Sequence, residues 1–561
     1  MSEYLFKRNL LALSRSNPEV GDVLLEAAPD PALAFRQARS GALVPVLRRE
    51  GREAPFHSLV DPEREAERLL EAQPPGGFVV ALGLGCGYLL KRHLASPTTT
   101  GILAVEYSAP LLRALLEEVD LSELFLDDRF SLALDPGPER LESLILSRYV
   151  PPIAGDIRSL PLRGRVDLDP APFGAAADAL RDVLRRISDD YSVQAFFGKL
   201  WFRNAARNLF AAERPAPPLP RIRRAVVTAA GPSLELALPA IRAAEKEGAF
   251  LIATDTSMPA LVGAGLAPDA VVSIDCQHIS YYHFLGGIPD GTPLVIDLAS
   301  PSRLTRVGGS LRFFSSGHPF CAYISARFRP FPALDTSGGN VTHAALSLAE
   351  SLGAETTILA GADFSYPSGK SYARGTYIYG YYDRFQTRLS PFEGLFSGFM
   401  FRNSEMYRER VRDPDYGEFD RYLTKPLIAY KEHLERFAAD SSMEVRPFRG
   451  MGVEIRTPEG RKPRRSETRL FSAGRAACGA ADFLEDYLAD LEGLPPPRDP
   501  AIPYMSSLGD RERDLWTTLL PAASAFQRSL GAGSALRPSE LLETTRSWAM
   551  SAIREALEER N

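Results

Sequence analysis

Cysteine is scarce in this 561-residue chain, and the four present, Cys86, Cys276, Cys321 and Cys478, include no C-x-x-C pair. A zinc knot and a dithiol redox centre are thereby excluded, and the thiols are expected to be reduced, in cores or site walls. Long apolar runs are absent too. No segment approaches the ~18 apolar residues of a membrane span. The first seventeen residues offer only Leu10 to Leu13, too short for a secretory core, so a cytoplasmic protein is expected. Blocks of one charge are also missing. The net charge of −6 is spread along the chain, which gives no long-range field for a nucleic acid or an anionic membrane. There is no internal repeat and no low-complexity tract, and 45% apolar with 24% charged residues excludes global disorder.

At about 150 residues per domain, three or four domains are expected. A mixed amino-terminal segment, 1–75, holds Asp61-Pro62-Glu63, where Pro at a first helical position and acids in the first turn predict a helix. The apolar run 78–82, the glycines Gly83, Gly85 and Gly87, and a second run, 102–105, ending in Glu106 predict a Rossmann-like βαβ unit over 76–174. Helical periodicity and the proline-rich 214–220 predict a connector and linker over 175–220. Over 221–460, short β-rich runs at 225–228, 250–253, 270–274, 294–296, 311–314 and 357–359 alternate with helix-like stretches, the pattern of a mostly parallel sheet covered on both faces. Residues 365–425, dense in Tyr, Phe, Gly and Arg without clean periodicity, suit an ordered functional loop or lid. The rest, 461–561, is expected to be a helical domain. The fold class is therefore multidomain α/β.

Two glycine turns carry candidate chemistry. In the first, Gly83, Gly85 and Gly87 let backbone N–H groups approach a ligand, and Glu106 is placed to accept both hydroxyls of a ribose. This turn looks like the cofactor loop of methyltransferases that use S-adenosylmethionine; its other reading is helix-on-strand packing in an inactive domain. In the second, Gly231, Pro232 and Ser233 follow a strand and place an unhindered backbone and a hydroxyl at a helix start, a phosphate site or a simple N-cap. Further strands close on Thr254 and Asp255, on Asp275, and on Gly361 and Asp363. In a parallel sheet such carboxyl ends line one crevice. Ser337, Gly338, Gly339 and Asn340 make another small-residue turn before a helix, again an anion site or a cap. His278 and His283 read as site-wall packing, and no carboxylate spacing near them marks a metal site.

The ordered series AAGPSLE, LIATDTS, PDAVVSID, TSGGNVTHAALSLAESLGA and ILAGADFSYPSGKSYARGTY, with Trp201 to Leu209 before it, resembles the motility-associated factor (Maf) family of flagellin glycosyltransferases. Their central domain, of formerly unknown function and similar to 6-hydroxymethylpterin diphosphokinases, resembles bacterial sialyltransferases of a GT-A variant. The resemblance implies transfer of a nonulosonic acid, such as pseudaminic or legionaminic acid, from its CMP-activated form to Ser or Thr of flagellin. It implies no tightly bound cofactor and leaves a divalent metal open. By the same resemblance Gly231, Pro232 and Ser233 hold the nucleotide phosphate region, and Thr254, Asp255 and Asp275 lie near nucleotide and sugar. Ser337, Gly338, Gly339 and Asn340 line the donor pocket beside Gly361, with Asp363 catalytic. Tyr372 and Tyr377, soon after Asp363, stand where sialyltransferases place phosphate-binding tyrosines; Tyr366 and Tyr379 share the segment, and Arg374, Arg384 and Arg388 are candidates to clamp a carboxylate. One departure stands out. The histidine base of sialyltransferases falls after the strand ending at Asp363, where this chain has only His433, in a pattern that reads as an exposed helix. Asp363, Asp383, His318 and His343 are the other candidates for proton acceptance. Bulk introduced as Ser233→Trp or Gly338→Trp is expected to block the crevice with the fold intact. Three other readings stay open: an ATP-dependent pyrophosphokinase acting on 6-hydroxymethyl-dihydropterin, a methyltransferase, and a non-catalytic flagellin-binding scaffold.

Overall fold

The computed structural model describes residues 2–49, 52–214, 216–401, 405–458, 473–530 and 536–559. Pro215 of the expected linker, and 459–472 around the expected start of the last domain, lie outside the described residues. The chain divides into two units, Met1–Gly198 with Gly493–Trp548, and Lys199–Glu492 with Ala549–Asn561. The helix Pro170–Ala212 contributes residues to both, and the helices of the last hundred residues are likewise shared between the units.

In the first unit β1 (Leu33–Gln37), β2 (Leu43–Arg49) and β3 (Arg52–Pro55) form an antiparallel sheet. The strands β4 (Gly77–Leu82), β5 (Thr99–Glu106), β6 (Phe130–Leu134) and β7 (Ile157–Pro161) form a parallel sheet in the order β6-β5-β4-β7. Val79 and Ala81 join one apolar cluster with Ile102, Ala104 and Phe130, while Phe78, Val80 and Leu82 join another with Leu103 and Val105. A strand buried on both faces has no solvent side to mark with polar residues, which is why 78–82 reads as an uninterrupted apolar run. The helix Pro62–Ala72 begins as expected: the Asp61 carboxylate accepts from the N–H groups of Glu63 and Arg64, and Pro62, which lacks an N–H, sits in the first turn.

The second unit is built on a seven-stranded sheet of β8 (Arg224–Thr228), β9 (Phe250–Thr254), β10 (Ala270–Ser273), β11 (Pro293–Asp297), β12 (Ser310–Phe314), β13 (Thr356–Ala360) and, last in the chain, β17 (Glu444–Pro447). The order is β12-β11-β10-β9-β8-β13-β17, and every pairing is parallel. The first six match the β-rich runs read from the sequence to within a residue or two at each end. The helix Val341–Ser351 lays Ala344, Ala345 and Leu348 on Val227, Ile252 and Val272, covering one face. The strand order reverses between β8 and β13, so a crevice is expected beyond their carboxyl ends.

The segment 365–425 is more regular than its composition predicts. It contains β14 (Tyr366–Pro367), β15 (Met406–Asp413) and β16 (Gly417–Thr424) in an antiparallel sheet, with short helices Tyr377–Asp383 and Phe392–Met400. Half of the facing residues of β15 and β16 are charged, as where Arg410 stands opposite Asp420 and Arg421 opposite Glu409, so the two-residue alternation that reveals a strand is hidden.

Candidate functional site

The first glycine turn is filled by the protein itself. The Glu106 carboxylate, expected to face a ribose, accepts from the N–H of Leu84 at 2.8 Å and from Nε of Arg165 at 3.1 Å, and both side chains are buried. A Cβ at Gly85 would lie 2.4 Å from Nε2 of His57, and one at Gly83 would lie 2.9 Å from the Arg165 side chain. His57 accepts from the Cys86 N–H at 3.0 Å, taking the donor that the turn was expected to offer a ligand. Arg165, His57 and Glu106 thus make this turn a packed junction, the second of the two readings left open for Gly83, Gly85, Gly87 and Glu106. Burial pulls the His57 imidazole from its ordinary 6.5 down to about 4. The unfolded chain takes up that proton near 6.5 and the folded chain only near 4, so the unfolded state binds more protons in between and stability falls as pH falls through that window. The denaturant midpoint is expected to decline from pH 6.5 to 4, and His57→Gln, whose amide oxygen still accepts from Cys86, should flatten the decline; an unchanged slope would refute it.

At the carboxyl edge of the seven-stranded sheet the expected residues fall into two groups. In the first, the Ser233 N–H donates to Oδ2 of Asp363 at 2.8 Å, the Ser233 hydroxyl accepts from the Met451 N–H at 2.8 Å, and the Gly231 N–H donates to the Gly361 carbonyl at 2.8 Å. The anion drawn to this helix start is therefore Asp363. Burial raises the Asp363 carboxyl above its usual range, with the hydrogen bonds from Ser233 opposing the shift. Gly361 has φ +73, and a Cβ there would meet the Ala229 carbonyl at 2.3 Å, so the β13 exit needs glycine. Pro232 is buried at the same turn. A cavity of about 790 Å³ opens beside Ser233, Gly361 and Asp363, lined also by Arg421, Arg449 and Arg456. These arginines, from β16 and the chain after β17, were not singled out in the sequence, because 58 or more residues separate them from Asp363.

The second group lies over the tips of β9 and β10. Asp255, buried, accepts from the Ser273 hydroxyl through Oδ2 at 2.7 Å and from the Thr256 N–H through Oδ1 at 2.6 Å. Thr254 is spent internally: its hydroxyl donates to the Ser257 hydroxyl, which also bonds the Thr228 hydroxyl and so ties β9 to β8. Tyr372 and Tyr377 reach this edge because the Ala373 N–H donates to the Ala230 carbonyl at 2.8 Å. The Tyr377 ring stands edge-on to His283 with centroids 4.6 Å apart, the wall packing expected of that histidine. Burial pushes both phenols up, and the fields of Asp255 on Tyr372, and of Asp255 and Asp275 on Tyr377, push the same way. Asp275 is itself raised, first by burial and further by Asp255. Two carboxylates and two phenols thus share one electrostatic neighbourhood, in which the phenols stay protonated as donors.

The turn 337–340 leads into the helix Val341–Ser351 that covers one face of the sheet. Asn340 caps that helix through Oδ1 and the His343 N–H, and Nε2 of His343 lies 3.0 Å from Oδ2 of Asp335. Ser337 and Gly339 are exposed, whereas a Cβ at Gly338 would lie 2.3 Å from the His343 ring. Neither Gly338→Trp nor Ser233→Trp can leave the fold intact, contrary to the sequence expectation, because both positions are packed. His433 lies on the helix Lys425–Asp440, half-buried rather than fully exposed as its pattern suggested, with Nδ1 3.3 Å from the Ser337 carbonyl. Arg374, Asp383, Arg384 and Arg388 are exposed.

The run from Trp201 to Leu209 braces this edge. Asn204 and Asn208, one helical turn apart, donate through Nδ2 to the carbonyls of Cys276 and Ala299 and of Leu298 and Ser300, fixing the chain after β10 and β11. Trp201 stacks on His318 at 3.9 Å, and Nε2 of His318 lies 3.6 Å from Oδ2 of the buried Asp297. All four cysteines are free thiols; three are buried and Cys478 is exposed.

Residues 203–369 match the family described as 6-hydroxymethylpterin diphosphokinase MptE-like. Two proteins of Treponema pallidum (strain Nichols), both named only as uncharacterized, are similar in sequence. One is 47% identical over 95 residues, 17% of this chain and 34% of its own length, so the chain spans about a third of that relative. The other is 36% identical over 169 residues, 29% of this chain and 79% of its own length. Among solved structures, the Maf glycosyltransferase from Magnetospirillum magneticum AMB-1 aligns over 99% of this chain and 96% of its own, with a TM-score of 0.54 and 16% identity, a likeness of fold. The multidomain α/β architecture expected from the Maf resemblance is thus present. By its identity with the second Treponema protein the chain belongs to that protein's family, with an MptE-like central domain set in the fold of a Maf glycosyltransferase.

Proposed function

We propose that this protein is a glycosyltransferase that moves a nonulosonic acid from a CMP-activated donor to a serine or threonine hydroxyl of flagellin, in support of flagellar assembly. The observation that carries the reading is the juxtaposition of Tyr372 and Tyr377 with Asp255 and Asp275 at the sheet edge. Loss of CMP from a tertiary anomeric carbon builds positive charge on the sugar and negative charge on the departing phosphate. Donors already in place at that phosphate lower the barrier without reorganising at the moment of reaction. Raised phenols remain O–H donors across the whole working pH range. Asp255 and Asp275 are suited to sugar and ribose hydroxyls, and Asp275, held above the usual carboxylate range, is the better proton acceptor for an incoming hydroxyl.

A second reading has a specific observation behind it, the match of 203–369 to a diphosphokinase-like family, which implies ATP with magnesium. Calorimetric titration of the full chain with CMP, with ATP and magnesium, and with S-adenosylmethionine separates the readings. Heat with CMP is expected, and none with S-adenosylmethionine, whose turn is filled by His57 and Arg165. Binding of ATP with magnesium and not of CMP would replace the first reading with the second.

A further inference from the structure

A separate cavity of about 300 Å³ lies against the edge strand β12 and is lined by Arg214, Arg312 and Arg329, with Ser310, Phe313 and Phe331. It faces Ser310 to Phe313, which begin at the amino end of the strand, whereas the tyrosine and carboxylate groups sit at the opposite, carboxyl edge of the sheet and toward β9 and β8.

Arg312 is 8% exposed and Arg329 is 7% exposed. Burial lowers both guanidinium groups from their ordinary values, and among the described residues no carboxylate's field opposes it. Arg329 is anchored by backbone oxygens, through Nε to Gly474 and through Nη1 to Ala212 and Arg214. Arg312 donates from Nη1 to the Ser310 hydroxyl at 2.6 Å and to the Leu311 carbonyl at 2.9 Å, while its Nε is buried with no partner among the described residues. Those two bonds hold the planar fork by one corner and leave the Nε edge for another group. That edge is the one that takes an oxyanion in a bidentate manner. A buried guanidinium without a counter-charge and a buried donor without an acceptor are both costly, and one anion relieves both. A wider cavity of about 750 Å³ shares Ala211, Arg214, Thr305 and Leu311 with the first and adds Arg306, which gives a non-phosphate remainder somewhere to lie.

We infer that the β12 cavity is a binding site for a phosphoryl group, clamped by Arg312 and Arg329 and distinct from the site at the carboxyl edge of the sheet. The test is thermal unfolding of the full chain in inorganic phosphate and in phenyl phosphate, each against chloride at matched ionic strength. Phosphate is expected to raise the midpoint saturably by several degrees beyond chloride. Arg312→Met should remove that rise while leaving the ligand-free midpoint equal or higher, since it deletes a buried charge that lacks a partner. A larger rise with phenyl phosphate than with inorganic phosphate assigns an organic phosphomonoester, and equal rises assign free phosphate. Arg214→Gln, at the more open side, should raise the half-saturating phosphate concentration severalfold and serves if Arg312→Met folds poorly. No rise in the wild type, a rise that survives in Arg312→Met, an unchanged half-saturation in Arg214→Gln, or a rise abolished by saturating CMP would each overturn the assignment.

Discussion

Tyr372→Phe and Tyr377→Phe each lower the turnover of sugar transfer about a hundredfold, corresponding to roughly 2.7 kcal/mol of lost transition-state stabilisation per donor. Little change in KM is expected, because the bond strengthens only as the phosphate leaves. The substitutions keep the rings, so the edge contact of Tyr377 with His283 persists. The bond from the Tyr379 hydroxyl to the Tyr372 carbonyl persists as well, since it uses the backbone. Single-turnover release of CMP is the measurement. Rates within twofold of wild type in both variants would remove these tyrosines from the chemistry, and with them the main support for the transferase reading. Tyr379→Phe is the internal control, because its hydroxyl is already committed to that carbonyl and transfer should be nearly unaffected.

Glu106→Ala destabilises the first unit by about 3 kcal/mol, the low end of what removing one partner of a buried ion pair costs. The low end is expected because Arg165 keeps a second partner, Asp169, with Nη1 2.5 Å from Oδ2. The Arg165 side chain has no solvent contact, so no water replaces the lost carboxylate. Glu106→Gln keeps an acceptor for the Leu84 N–H and should lose about half as much. Urea unfolding followed by a probe in the first unit measures both. An alanine variant as stable as wild type would mean that Glu106 does not hold Arg165 in place, and the cofactor reading of that turn would reopen.

The strands around the candidate site were legible where their pattern is local. Buried parallel strands read as apolar runs, and Gly361 announces the exit of β13 because no side chain fits between it and the Ala229 carbonyl. The polar residues closing successive runs lie at one edge of the sheet, since parallel strands bring like ends together. What each residue does there was not legible. Ser233 looked like a phosphate ligand and proved to be bonded to Asp363 and Met451, residues 130 and 218 positions away. Glu106 looked like a ribose ligand and is taken by Arg165, 59 positions on.

Composition, apolar period and turn chemistry act over a few residues, so the amino-acid sequence alone determined the α/β class, the two glycine turns and the run of strands from β8 to β13. Which partner occupies each turn was decided only by the tertiary structure. A hydrogen bond or an ion pair has no sequence period, and its partners are chosen by whichever elements packing brings within 3 Å or so. The same holds for β17, the hairpin of β15 and β16, and the arginines beside Asp363, whose places follow from how the sheet is covered.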